Sequence, residues 1–434
     1  MDIHNGGDST DRFTAYLGEL ASVIGHADRA GPLRDYCTGL LLPVDRKSVE
    51  PMAAMTAPAR TAAQHQSLLH FVGKGNWSDD KVLTKVRESV LPKIEEHGPI
   101  LAWIIDDTGF PKKGVHSVGV ARQYCGQMGK QDNCQVAVSL SVANAAASLP
   151  VAYRLYLPEK WSDDADRRKK AGIPDDVVFK TKPKIALDQI KWACDAGLPR
   201  GTVLMDAGYG VDTEFRNEIS VLGLTYAAGI KSGTSVWGPG TRPLPPKAAS
   251  GRGRPSTRPV RDEEHQPVSV EKLAQALPEA SWTMIEWREG TNTPLASRFA
   301  RVRVRTAHDR KISFEEIREE WLVIERPGDE AEPTKYWLST LDVDISFVDL
   351  VSAIKLRWRI ERDYLELKQE IGLGHYEGRG WRGFHHHATL CIAAYGFLIK
   401  EKAAFSPCRT YSKILRTQSS ISRRHRPRGA AGSN

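Results

Sequence analysis

Several things are missing from this sequence, and each absence closes a class of function. No apolar run reaches the roughly 18 residues that a membrane-spanning helix needs. The opening Met1-Asp2-Ile3-His4-Asn5-Gly6 lacks the basic-then-apolar pattern of a secretion signal, so a cytoplasmic protein is expected. Six cysteines are scattered (Cys37, Cys125, Cys134, Cys194, Cys391 and Cys408) and none forms a Cys-x-x-Cys pair. Zinc knuckles and disulfide frameworks are therefore not expected, and the thiols read as free in a reducing compartment. There is no Gly-x-Ser-x-Gly and no His-Glu-x-x-His. Gly126-Gln127-Met128-Gly129-Lys130 is followed by Gln131, where a phosphate loop requires Ser or Thr, so no nucleotide cofactor is expected. His385-His386-His387 does not read as a metal site, because successive helical side chains point about 100° apart.

What is present is a soluble composition with unevenly placed charge. The 434 residues exceed one hydrophobic core, so two or three domains are expected; 41% apolar and 26% charged content suits a globular chain. The net charge of +8 is concentrated in two places. From Lys231 to Arg261 there are seven Lys or Arg and no acid, and from Lys402 to the end there are eight and no acid. Clustered basic charge is the footprint of a polyphosphate partner, although a solvated loop and a solubilising tail carry the same composition.

Along the chain, residues 13–24, 60–72 and 79–91 carry apolar residues at helical spacing, and Ser78-Asp79-Asp80 caps the last. Residues 1–98 thus read as a helical N-terminal domain. The texture changes at Pro99. Ile100–Ile105 is a short apolar run ending in Asp106-Asp107, and Thr202-Val203-Leu204-Met205 ends in Asp206. Strands are also expected at 115–122, 134–143, 150–157 and 224–230, with a helix at 184–196. This order predicts an α/β core with a mixed sheet over 99–230. Residues 231–343 read as a β-rich insertion domain that opens with a basic loop and contains strand-like stretches at 282–287, 299–305, 321–324 and 336–341. Helical texture returns over 346–372 and 385–401, so 344–401 reads as the second part of the core and 402–434 as a basic tail.

Strand ends hold carboxylates rigidly, and two or three carboxylates can keep two Mg²⁺ ions about 4 Å apart for phosphoryl chemistry. An Asp after a strand is also ordinary turn chemistry, so the third element matters. In residues 354–371, Leu356, Ile360, Leu367 and Ile371 form one helical stripe. Arg357, Glu361, Tyr364 and Lys368 share the adjacent face, which places a carboxylate between two cations able to grip phosphates.

Arg357, Glu361 and Lys368, in Arg-Trp-x-Ile-Glu-x-x-Tyr-x-x-x-Lys, have the spacing of the Y-R-E-K signature and resemble the bacterial insertion-sequence DDE transposases. Ile105-Asp106-Asp107-Thr108-Gly109-Phe110-Pro111-Lys112-Lys113-Gly114, Gly119–Tyr124, Asn133-Cys134-Gln135 and Asp206-Ala207-Gly208-Tyr209-Gly210 are similar to motifs of the same group, in the same order. The resemblance implies a ribonuclease-H-like core, interrupted by the β-rich insertion, whose Asp106, Asp206 and Glu361 bind two Mg²⁺ ions, with Mn²⁺ able to substitute. It implies cleavage at terminal inverted repeats, strand transfer into target DNA, and a homodimer on paired double-stranded ends. Asp107 stands as the alternative to Asp106. The two point to opposite faces of a strand, and in similar proteins the second acid is interchangeable with Glu, which favours Asp106. One departure is that Ile354 stands where the signature has tyrosine; the contact made there is either absent or supplied by another residue, with Tyr364 a candidate.

Further DNA-contacting candidates are Arg122 and Lys130, with Lys112, near the site. Arg252-Gly253-Arg254-Pro255 has the core of an AT-hook, a minor-groove element. Trp237, in the same basic segment, is a candidate to hold a flipped base, with packing against the insertion strands as the plainer alternative. The helical N-terminal domain could recognise the ends or mediate dimerisation. Two other functions fit parts of the pattern: a transposase-derived DNA-binding protein that no longer cuts, and a ribonuclease-H-like nuclease that does not join.

Overall fold

The computed structural model describes residues 8–242, 244–245, 262–263, 265–288, 294–307, 318–328, 330 and 332–405. The AT-hook residues Arg252 and Arg254 and the tail beyond 405 lie outside them.

Helices come first: α1 (Ser9–Ala21), α2 (Ala30–Leu41), α3 (Val49–Thr56), α4 (Thr61–Gly73) and α5 (Asp79–Glu95). The start of α5 is set by Ser78, whose hydroxyl accepts from the Lys81 N–H, with Asp79 and Asp80 in the first turn. There follow β1 (Ala102–Pro111), β2 (Ala121–Cys125), β3 (Lys130–Ala143), β4 (Ser148–Leu155), α6 (Glu159–Ser162), α7 (Ala165–Ala171), α8 (Lys182–Asp195), β5 (Thr202–Met205), α9 (Ala207–Gly210), α10 (Thr213–Val221) and β6 (Tyr226–Ile230). Then come β7 (Ser235–Trp237), β8 (Val268–Ser269), α11 (Val270–Gln275), β9 (Thr283–Arg288), β10 (Leu295–Thr306), β11 (Glu320–Arg326) and β12 (Lys335–Ser339). The chain closes with α12 (Phe347–Lys355), α13 (Trp358–Leu365), a π-helical turn over Glu366–Glu370 and α14 (Trp381–Phe405).

The architecture is mixed α/β around one large mixed sheet. Strand order is β2-β3-β1-β5-β6-β12-β11-β10-β7-β8, with β4 beside β3 and β9 beside β10. The central strands β1, β5 and β6 are parallel, and β3 and β12 flank them antiparallel. The strands of 235–339 thus continue the same sheet, joined through β6 and β12 (Ala228 opposite Leu338).

Strand alternation divides the core in two. Trp103, Ile105, Val203 and Met205 face one side, with the cores of α5, α8 and α14. Ile104 and Leu204 face the other, with Phe299, Val323, Leu350, Val351, Ile354 and Ile360. Ile354 therefore fills the core beneath α12 at 3% exposure, which is why an apolar side chain stands there.

Two expectations are corrected. The strand expected over 115–122 begins only at Ala121, because Gly119 takes a left-handed φ of +73° and residues 114–120 run as turns. The helix expected over 346–372 is three pieces: it breaks between Lys355 and Trp358, then widens into the π-helical turn.

Candidate active site

Residues Ala102–Ile104 of β1 pair in parallel with Thr202–Leu204 of β5, so Asp106, midway along β1, and Asp206, just past the end of β5, stand side by side. The expectation that the first strand ends at Asp106-Asp107 is corrected, since β1 continues to Pro111. Each belongs to the face shared with Ile104 and Leu204, beneath α12 and α13. Asp206 caps the one-turn helix α9, its Oδ1 accepting from the Gly208 and Tyr209 N–H groups at 2.9 and 3.3 Å. Its Oδ2 is left facing α13.

From that side comes Arg357, in the break between α12 and α13. Its Nη2 donates to Asp106 Oδ2 at 2.8 Å and lies 4.0 Å from Asp206 Oδ2; its Nη1 lies 3.4 Å from Glu361 Oε1. One guanidinium thus touches all three acids that the sequence singles out. The acids differ in depth: side-chain exposure is 14% for Asp106, 45% for Asp206 and 71% for Glu361. Burial, with the charges of Asp206 and Asp107 adding to it, pushes the Asp106 carboxyl up to about 7 against the pull of Arg357. Burial alone would lower the Arg357 pKa, but Asp106, Asp206 and Glu361 outweigh it and raise it. Among the described residues no three His, Cys, Asp or Glu side chains are already closed on one point.

Asp107 turns the other way. Its Oδ2 accepts from Lys182 Nζ at 2.7 Å and from the Tyr209 hydroxyl at 3.2 Å. Lys182, at the start of α8, was not singled out from the sequence; nothing in its surroundings there distinguishes it from other lysines, and only the fold brings it to β1. Ser139 was missed for the same reason. It sits opposite Asp106 in the β1–β3 ladder and shares a 2.7 Å hydrogen bond with the Tyr364 hydroxyl. Burial, then Asp106, raises the Tyr364 pKa well above its ordinary value.

Lys368 reaches back from the π-helical turn. Its Nζ donates to Gly109 O at 2.7 Å and lies over the Phe110 ring, and burial lowers its pKa to about 8. The face expected for Arg357, Glu361, Tyr364 and Lys368 is thus gathered around β1, although the helix carrying it is not continuous.

The other candidates are placed differently. Lys130 is exposed at the start of β3, 3.6 Å from Asp132. Arg122 is exposed on β2 opposite Asn133. Lys112 is engaged with Tyr376 O at 2.7 Å. Trp237 is corrected from a loop to a strand: it lies in β7 opposite Arg305 and is 2% exposed, so its ring has no open face for a base. The three histidines make separate bonds. His385 accepts from the Leu155 N–H, His386 meets Val72 O and Trp77 O, and His387 meets Tyr36 and Gly372 O.

A family model described as DDE superfamily endonuclease matches residues 19–294, well over half of the chain. The matched stretch holds Asp106 and Asp206; Glu361 lies beyond it. A probable transposase for insertion sequence element IS701 from Microchaete diplosiphon is 32% identical over 168 residues, which make up 38% of this chain and 41% of that protein. The match therefore spans less than half of that relative. Among the described residues no helix is long and apolar enough to cross a membrane.

Proposed function

Because this chain belongs to the DDE superfamily endonucleases, we propose that it is the transposase of an insertion sequence, cutting DNA at the terminal inverted repeats and joining the freed ends to target DNA. The carrying observation is that Asp106 on β1, Asp206 after β5 and Glu361 on α13, far apart in sequence, meet around one guanidinium. The 32% identity to a probable transposase supports the same reading. The core is ribonuclease-H-like, with 231–343 inserted in it and the preceding helices available for end recognition or pairing of two copies.

The donor set is chemically suited to Mg²⁺ or Mn²⁺: three carboxylates are hard oxygen ligands, and no thiolate competes among them. Asp106, Asp206 and Glu361 would hold two such ions, which supply activation of the attacking oxygen and stabilisation of the leaving one. Arg357 and Lys368 carry the positive charge that faces the phosphates. Tyr364, bonded to Ser139, fixes the helix against β1, and Lys182 with Tyr209 keeps Asp107 out of the site. In the first step water adds to phosphorus and the 3′-oxygen leaves with a proton. In the second, that 3′-hydroxyl displaces a 3′-oxygen of the target in line, so the number of phosphodiester bonds is kept.

The test is cleavage of a labelled duplex bearing the element's own terminal repeat, with Mg²⁺ or Mn²⁺, in the native protein and in Glu361→Gln. Metal-dependent cutting that the variant loses while still binding DNA is expected. Binding without cutting in both proteins would instead identify a DNA-binding protein, and cutting without joining a plain nuclease.

A further inference from the structure

The position of Arg357 has a consequence for when the acidic corner can take up metal. A divalent ion ligated by Asp106 Oδ2 together with Asp206 and Glu361 needs the oxygens that Arg357 now engages at 2.8, 4.0 and 3.4 Å. A divalent ion on Asp106 Oδ2 would stand close against the guanidinium, and the two like charges repel. The nearby cations offer no substitute for Arg357, since Lys182 is bound to Asp107 and Lys368 to Gly109 O. Arg357 itself is incompletely satisfied: its buried Nε has no hydrogen-bond partner. It projects from the break between two helices, where the backbone is least constrained by helical hydrogen bonds.

We propose that Arg357 and the divalent ion are alternative occupants of the corner formed by Asp106, Asp206 and Glu361, and that a DNA phosphate resolves the competition by drawing the guanidinium away. The inference rests on the triad reading above. Arg357 is thereby a positioning residue with two partners, carboxylates before DNA arrives and phosphate after. Linkage then requires reciprocity: DNA tightens metal binding, and metal tightens DNA binding, by the same factor. The enzyme is held from unproductive metal loading until its substrate is in place.

The test measures free Mn²⁺ by its paramagnetic resonance signal during titration of the full chain without DNA, so that no turnover is involved. Arg357→Ala and Arg357→Met are compared with the native protein, the second keeping the side chain's length should the first fold poorly, and Asp206→Asn serves as the site control. The expected result is Mn²⁺ binding tightened on the order of tenfold in both Arg357 variants, about 1.4 kcal/mol, and dependent on Asp206. Addition of duplex DNA then tightens Mn²⁺ binding by a larger factor in the native protein than in the Arg357 variants. Unchanged or weaker binding in the Arg357 variants, with Asp206→Asn still abolishing Mn²⁺ binding, overturns the competition alone. Binding that is absent from the native protein and from both Arg357 variants, with and without DNA, or that is indifferent to Asp206→Asn, overturns the triad reading and the competition with it.

Discussion

Asp106 and Asp107 are chemically identical neighbours separated only by the alternation of β1. Asp106 meets Arg357, and Asp107 meets Lys182 and Tyr209. Their substitutions should therefore differ in kind. Asp106→Asn is expected to abolish metal-dependent cleavage. Asp107→Asn is expected to retain metal binding while losing on the order of 1–3 kcal/mol of stability, since Lys182 and Tyr209 lose a charged acceptor. Parallel Mn²⁺ titrations and urea melts would reverse the assignment if Asp107→Asn proved the metal-defective variant. This choice was half legible in the sequence. Alternation requires that one carboxylate turn away, but which one is decided by α13 and α8, which approach from opposite sides of the sheet.

A second residue-scale prediction concerns His387, buried in α14 between Tyr36, Gly372 O, Cys391 and the stacked Tyr376 ring. Burial foremost, with Lys112 and His375 adding repulsion, lowers its pKa from 6.5 to about 4. The folded state therefore holds neutral imidazole while the unfolded chain takes up a proton below pH 6.5. This contribution is fully present above pH 6.5 and is lost as pH falls toward 4, by roughly 1.4 kcal/mol per pH unit. His387→Gln should be the less stable protein at pH 7.5, and its deficit should shrink between pH 6.5 and 4.5. A deficit that stays constant across that range in urea titrations would refute the assignment.

At the scale of elements, the site depends on pieces too short for periodicity to announce. Asp206 is held by α9, a single turn lying directly on β6. A Cβ at Gly210 would run into the Gly229 carbonyl oxygen, and one at Gly229 would come within 2.9 Å of the Ala207 backbone nitrogen. Gly210→Ala must therefore push α9 off the sheet and carry Asp206 with it. The expected cost is about 1–3 kcal/mol of stability. Cleavage should fall by on the order of a hundredfold, as displacement of a reacting group by about an ångström does. Unimpaired cleavage at full folding would show that Asp206 does not depend on this contact. The strand β5 and the first half of β1 were legible because each is a short apolar run that stops at an aspartate, but the continuation of β1 through Asp106-Asp107 to Pro111 was not. Nor were the break before Trp358 and the π-helical turn. Arg357-Trp358 and Glu366–Glu370 are good helix formers, and what interrupts them is tertiary: Arg357 is drawn to Asp106, and Lys368 to Gly109 O.

For the whole molecule, the sheet is closed by pairings no local pattern encodes, such as the Tyr226 N–H donating to Thr340 across 114 positions. The N-terminal helices are tied to the opposite end of the chain in the same way. Leu390–Tyr395, Phe397 and Ile399 of α14 are all buried, and a helix apolar on all sides must be covered on all sides. One side is the site region, where the Tyr395 hydroxyl donates to Asp363 and His385 accepts from Leu155. The other is α1, α2, α4 and α5. There Phe13 and Tyr16 pack on Phe397 at 4.7 and 5.7 Å, Trp77 stacks on His386 at 3.6 Å, and the Tyr16 hydroxyl donates to Ala393 O. Uncovering the large apolar side chains on that side of α14, at about 2 kcal/mol each, removes a large part of the roughly 5–15 kcal/mol that stabilises an ordinary domain. A chain starting at residue 96 is therefore expected to lose its near-ultraviolet dichroism and cooperative urea transition, and with them metal binding at Asp106 and Asp206. Retention of both would show that residues 8–95 form a detachable domain, and would assign their role to DNA ends or to a second copy rather than to holding α14 against the sheet.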